Sequence, residues 1–273
     1  MIIQSAAAGS RHFAITMDQH TALAAQFARA FGNASFEAVA PLEPMLFMVG
    51  NHDKGWAALD AAPGTNPVTR LPYNLVETPA TDIVPTSAAS PDFNERHHPY
   101  CGLLSSMHSW GLYNGRYGLS DKILIDSIPD THRPLVQRML DGELARQARL
   151  RDVLAQDPVT AAWIEDAHLF QNYKQLQFFD TLALYFNRTA EGAREATHFE
   201  HVPLDGKRDV TVTLRPAAPG VYALDPYPFA ASPAAFSFEG RYIEPLPAGA
   251  DGDWRERLAA ASVETQHFTL RAE

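Results

Sequence analysis

Leu176-Gln177-Phe178-Phe179-Asp180-Thr181-Leu182-Ala183-Leu184-Tyr185-Phe186 reads as a helix that is apolar nearly all round, with one carboxylate set into it. A helix of that kind belongs inside a domain. An ionised carboxylate buried there without a partner is severely unfavourable, so Asp180 must meet a cation, meet several hydrogen-bond donors, or take up a proton. A bland solution is a buried Asp that accepts hydrogen bonds from a loop or pairs with Arg188 near the helix end. Three other features favour a metal ion. His52-Asp53 closes an apolar run from Met45 to Val49 and stands just before Lys54-Gly55-Trp56, His20 opens an earlier helical pattern, and His108 lies within another. Imidazole and carboxylate are ordinary ligands of zinc, iron and manganese.

The order His20, then His52-Asp53, then a distant Asp180 on a late helix resembles the HD-domain superfamily. These are all-helical metal-dependent phosphohydrolases in which a His, a His-Asp doublet and a last Asp converge on one ion. Carried over residue by residue, the resemblance implies His20, His52, Asp53 and Asp180 as ligands. Three strings, Asn51-His52-Asp53-Lys54-Gly55-Trp56, Met107-His108-Ser109-Trp110-Gly111-Leu112-Tyr113 and Gln177-Phe178-Phe179-Asp180-Thr181-Leu182-Ala183-Leu184-Tyr185, are similar to a bacterial branch of that superfamily, a domain of unknown function. That closer likeness covers nearly the whole chain. Some members of the wider superfamily bind a second ion through extra histidines, a part open here to His108, His98 or His97.

Pro99 to Tyr113 reads as one helix, and ten residues of helix span about 15 Å, so His98 and His108 do not reach one ion without a kink. His108 shares its helical face with Leu104, Ser105 and Leu112 and is the expected ligand. His97 and His98 follow Asn94-Glu95-Arg96 and precede Pro99, a pattern of loop and helix start. His12, His132, His168, His198 and His201 sit in strand-like or polar contexts and are expected outside the site.

Two His and two Asp around a divalent ion (Fe, Mn, Zn, Ni or Mg, one ion or two) leave positions open for water, and such an ion lowers the pKa of its water and polarises a phosphoryl oxygen. The expected activity is hydrolysis of a small phosphate ester or phosphodiester, with Asp53 and Lys54 as catalytic groups and Arg70, Arg96 or Arg116 as further phosphate holders. The alternatives are a di-iron oxygenase of the same fold, or a metal or ligand sensor without turnover.

The 273 residues carry 22 Lys and Arg against 32 Asp and Glu, a formal charge of −10. That balance disfavours a nonspecific grip on nucleic acid or an acidic membrane and leaves a small molecule as the expected partner. A single cysteine, Cys101, excludes an intramolecular disulfide and fits a reducing cytoplasm. Neither a basic-then-apolar leader nor an apolar run of eighteen residues is present, so a cytoplasmic protein is expected.

Short strands are expected at Met1 to Ile3 and His12 to Met17, then a helix from Asp18 to Gly32 capped by Asp18 or Gln19, and another over about Leu42 to His52. Asp60 to Glu95, rich in Pro, Asn, Thr and Ser, reads largely as loop and as a lid over the site. Helical pattern returns at Pro99 to Tyr113, Arg133 to Gln156 and Thr160 to Asn187. Period-two alternation marks Asp209 to Leu214, Gly220 to Leu224, Phe236 to Ile243 and Gln266 to Leu270, with a short helix near Trp254 to Ala261. The expected fold class is α+β: a helical domain over 1–190, HD-like as the resemblance implies, with a C-terminal, mainly antiparallel sheet region over 191–273 packed on it. Tyr222, Phe229, Phe236 and Tyr242 are expected in the core, the alternative being a ligand surface or one through which two copies form a homodimer.

Overall fold

The computed structural model describes every residue except 8, 248, 250 and 251. Two short strands, β1 (Ile2–Ile3) and β2 (His12–Ile15), lead into α1 (Met17–Ala30) and α2 (Leu42–Val49). A 3-10 turn at Lys54–Trp56 precedes α3 (Ala57–Ala61), and then come α4 (Ala80–His97), α5 (Pro99–Tyr113) and a one-turn stretch, α6 (Gly115–Gly118). The helical half closes with α7 (Arg133–Leu154), α8 (Pro158–Trp163) and α9 (Asp166–Arg188). Strands β3 (Thr197–Pro203), β4 (Asp209–Ala218), β5 (Val221–Asp225) and β6 (Ala234–Ile243), helix α10 (Trp254–Ala260) and β7 (Glu264–Ala272) complete the chain. Among the described residues no helix is long and apolar enough to cross a membrane.

The strands form one seven-stranded sheet in the order β1-β2-β6-β7-β5-β4-β3. The N-terminal strands join it through β2, which pairs antiparallel with β6. The sheet is mixed: β5 and β7 run parallel, with Val221 opposite Thr269, while the other pairs are antiparallel. A parallel neighbour needs a crossover, and here β6 and α10 lie in sequence between β5 and β7. The class is therefore α+β with a mixed sheet.

An aromatic core joins sheet to helices. Phe27 of α1 and Phe186 of α9 meet Phe236 and Phe268, and the Phe186 and Phe268 rings stack at 3.7 Å. Tyr222, Phe229 and Phe236 are all buried in it. Helices α1 and α9 thus lie on the sheet, and α2, α5 and the α4–α7 layer pack outside them.

The helix expected over Thr160 to Asn187 is two helices, because Ile164 and Glu165 leave helical geometry between α8 and α9. Helix α1 starts one residue earlier than expected and is capped by Thr16, whose Oγ1 accepts from the Gln19 amide at 3.3 Å. The larger correction concerns Asp60 to Glu95. Its second half is α4, a helix with Pro85 and Pro91 inside it, where sequence composition suggests loop and lid. Proline removes one helical hydrogen bond and normally breaks the helix. Around Pro91 the loss is repaired from outside: the Ser87 carbonyl, which position 91 would have served, accepts from Ser109 Oγ on α5 at 2.8 Å. The first half, before α4, is tied to the sheet, since Asn74 Oδ1 accepts from the Ile3 amide and the Arg70 carbonyl accepts from the Leu246 amide.

Candidate metal centre

The α2–α3 turn presents His52 and Asp53. Helix α2 ends at Val49, with Gly50 as its C-cap, and the chain turns through Asn51 to Asp53. Helix α4 fixes that turn. Asn94 Nδ2 donates to the Asn51 carbonyl at 2.9 Å, and the Gly55 amide donates to Ser90 Oγ at 2.9 Å. Asn94 is fully buried. His52 Nδ1–H donates to the Val49 carbonyl at 2.8 Å, which places the ring proton on Nδ1 and leaves Nε2 as a bare lone pair.

Three further elements bring their side chains to that lone pair. His20 comes from the first turn of α1, whose start is held by Asp60 Oδ2 accepting from the Met17 amide at 2.6 Å. His108 comes from α5 and Asp180 from α9. His20, His52, His108 and Asp180 are buried, and Asp53 is partly exposed. His52 Nε2 lies 3.6 Å from Asp53 Oδ2 and 3.9 Å from Asp180 Oδ1, and His20 Nε2 lies 3.2 Å from the same Asp180 oxygen. The ligating atoms of His20, His52 and Asp53 lie within 4.8 Å of one another, as do those of His52, His108 and Asp180. Two ligands that share an ion at 2.0–2.2 Å stand about 3 to 3.5 Å apart, so the pairs at 3.2, 3.6 and 3.9 Å need only small shifts to take one.

The electrostatics point the same way. His20 Nδ1–H donates to Asn187 Oδ1 at 2.9 Å, which turns its Nε2 toward Asp180. Burial alone would lower the His20 pKa, but the hydrogen bond and charge of Asp180 outweigh it and hold His20 above its usual value. Burial likewise works to raise Asp180, and His20, His108 and Arg116 overcome it, so the carboxyl stays ionised well below the usual range. His108 behaves oppositely: burial, then the neighbouring His52, push it down to about 4. His52 Nε2 has no hydrogen-bond partner among the described residues, although it faces two carboxylates. A neutral His52 Nε2 facing carboxylate oxygens in a buried site is unfavourable unless a cation lies between them. The donor set, imidazole nitrogen with carboxylate oxygen, fits a divalent transition metal.

The other basic and histidine candidates lie elsewhere or differently. Lys54 Nζ pairs with Asp18 at 2.9 Å and is about one-third exposed. Arg96 lies over the Phe93 ring, and Arg70 donates to the Pro247 carbonyl. Arg116 reaches the cluster, with Nη2 3.6 Å from Asp180 Oδ2. His97 stacks on Phe47, and His98 caps α5, its Nδ1 accepting from the Tyr100 amide at 3.1 Å. His168 Nε2 faces Asn172 Nδ2.

Sequence reasoning missed three neighbours on α9: Asn187 beneath His20, Gln177, whose Nε2 faces His108 Nδ1 at 3.1 Å, and Tyr173. The signal was present. Tyr173, Gln177, Asp180 and Asn187 recur at steps of four, three and seven, which align on one helical face. They form a polar stripe along the α9 face that meets the cluster.

The family described as a protein of unknown function, DUF3891, matches residues 1–245, a span that includes all five candidate ligands. No curated protein and no solved structure matches the chain. With nine-tenths of its length matched, the chain belongs to the DUF3891 family.

Proposed function

We propose that this protein is a metal-dependent phosphohydrolase of the HD-domain kind, holding one divalent ion through His20, His52, Asp53 and Asp180. The observation that carries the reading is His52 Nε2, a buried lone pair without a donor, set between two carboxylates. A bound divalent ion supplies a water of lowered pKa and a Lewis acid for a phosphoryl oxygen. The chain's own residues then do the rest. Asp180 and Asp53 offset the positive charge, and Asn187 and the Val49 carbonyl hold the His20 and His52 rings with Nε2 inward. Asp53, the more exposed carboxylate, is the group open to a substrate and to proton transfer with water. Lys54 stands next to it, its ammonium held by Asp18.

One observation favours a second reading, a two-ion centre with oxygenase chemistry: His108 makes a second triple with His52 and Asp180. Against it, His52 has one free nitrogen because Nδ1 is committed to Val49. The two triples therefore share the His52 donor and do not make two independent ion sites.

Elemental analysis of protein purified without chelator or a His-rich tag tests this. About one transition-metal ion per chain is expected, lost in Asp180→Asn and in Asp53→Asn while circular dichroism stays unchanged. Metal-loaded wild type should then release the phenol from aryl phosphate mono- or diesters. Unchanged metal in both variants, or no metal after reconstitution with Mn, Fe or Zn, refutes the site, and two irons per chain redirects the assay to oxygen consumption.

A further inference from the structure

Beside the cluster the backbone takes a rare path. Gly115, Arg116, Tyr117 and Gly118 have φ of 63°, 51°, 59° and 86°, a complete turn in the left-handed region. Glycine enters that region freely, but each ordinary L-residue pays about 1–2 kcal/mol, and it is usually visited by single residues. Here Arg116 and Tyr117 take it consecutively. Strain of this sort persists where the surroundings over-determine it, and it concentrates at ligand-binding positions. The surroundings are visible. The Ser120 amide donates to the Gly115 carbonyl at 3.1 Å, Tyr117 packs on Trp110 and Tyr173, and its hydroxyl donates to Gln147 Oε1 at 3.1 Å. The turn directs the Arg116 guanidinium to Asp180.

Tyr173 supplies the second, independent observation. Its side chain is fully buried, yet its hydroxyl has no hydrogen-bond partner among the described residues. Buried polar groups are nearly always satisfied, and an exception calls for a ligand or another role. The phenol oxygen lies over the bare backbone of Gly111, where a Cβ would come within 2.1 Å of it and within 3.4 Å of Arg116 Cα. The Tyr173 hydroxyl and the Arg116 backbone thus meet at Gly111, and the Arg116 guanidinium reaches the edge of the metal centre at Asp180.

We propose that Arg116 and Tyr173 form an oxyanion-binding subsite beside the metal centre, which takes a phosphate or carboxylate group of the substrate. The subsite rests on the metal reading above and deepens it. Guanidinium presents paired N–H donors that match two oxygens of such a group, and the tyrosyl O–H donates to a further one. Without a ligand, the Arg116 charge is offset by Asp180. With a divalent ion on Asp180 that carboxylate is neutralised, and Arg116 becomes a cation in want of an anion. The inference predicts opposite signs for the two ligands: removing Arg116 weakens the anion and does not weaken the metal.

The test uses Mn(II)-loaded full-length protein, titrated calorimetrically with inorganic phosphate and, separately, with acetate. Arg116→Asn removes the charge with a residue that tolerates left-handed φ, Tyr173→Phe removes only the hydroxyl, and Arg116→Lys restores the charge without the fork. Expected are a tenfold or greater loss of affinity for the bound anion in Arg116→Asn, a loss of severalfold in Tyr173→Phe, partial recovery in Arg116→Lys, and Mn(II) affinity equal to or tighter than wild type in Arg116→Asn. Anion affinities within twofold of wild type in both Arg116→Asn and Tyr173→Phe overturn the subsite and leave the metal centre standing. Loss of Mn(II) together with the anion in Arg116→Asn makes Arg116 structural and also overturns it. Failure of wild type to bind Mn(II) at all refutes the metal reading, a result read before any anion is added. Without the ion Asp180 keeps its charge and its pairing with Arg116, so that outcome removes the subsite as well.

Discussion

Gly55→Ala adds one methyl group at the turn that carries His52 and Asp53. The added Cβ would lie 2.1 Å from the Thr86 carbonyl oxygen and 2.9 Å from both the amide nitrogen and Oγ of Ser90. Two of those three atoms are backbone of α4, so no rotamer change relieves the contact. An ordinary carbon–oxygen contact is beyond 3 Å, and the turn must therefore withdraw from α4 by about 1 Å. Overpacking of this kind costs about 1–3 kcal/mol. Withdrawal also weakens the Gly55–Ser90 and Asn94–Asn51 hydrogen bonds, each worth about 1 kcal/mol. We expect a total destabilisation of about 2–4 kcal/mol, together with weaker metal binding as His52 and Asp53 shift. Gly142→Ala on α7 is the control, because its Cβ meets nothing within 4 Å. There the better helix propensity of Ala should stabilise by about 0.5–1 kcal/mol. Urea unfolding followed by circular dichroism reads both. If Gly55→Ala lies within about 0.5 kcal/mol of wild type, α4 is not packed against the turn, and this account of how His52 and Asp53 are held is wrong.

Further outcomes follow from the buried groups. In the metal-free protein His108 stays neutral down to about pH 4, while in the unfolded chain it protonates near 6.5. The unfolded state therefore binds the extra proton between those values, and stability should fall by about 3 kcal/mol as pH drops through that window. His20 has the opposite sign: held above its usual value, it contributes fully below pH 6.5 and loses that contribution as pH rises through its folded pKa. Urea midpoints across pH 4 to 6.5 should show the acid limb in wild type and a flatter one in His108→Asn; equal slopes would remove His108 from the buried cluster. Cys101 is buried, its thiol donates to the Pro44 carbonyl, and burial pushes its pKa to about 12. A thiol reagent at pH 8 should modify it only after urea unfolding, and prompt labelling of the native protein would contradict this packing.

Much of the helical half was legible because its signals are local. The period of apolar residues located α1, α2, α5, α7 and α9, and alternation located β4 to β7. The composition of Asp60 to Glu95 misled because prolines argue against helix only while the helix must satisfy its own carbonyls. Ser109, on the next helix, serves the carbonyl that Pro91 orphans, and no window of residues around Pro91 contains that information. The parallel pairing of β5 with β7 was out of reach for a similar reason, since strand propensity carries no direction.

The candidate site divides in the same way. By itself the sequence placed a carboxylate inside an apolar helix and a His-Asp doublet at a helix end, and burial cost alone required both to find partners. It nominated His20, His52, Asp53, His108 and Asp180, whose ligating atoms the fold gathers in two overlapping triples. Tertiary structure alone decided which cation stands near Asp180, choosing Arg116 on a left-handed turn while Lys54 pairs with Asp18. It also set the tautomer of His52 and the unpartnered hydroxyl of Tyr173. The physical reason is range: helix period and desolvation act on each residue where it sits in the chain, whereas charge pairing and hydrogen bonding act over a few ångströms between residues that only the fold brings together.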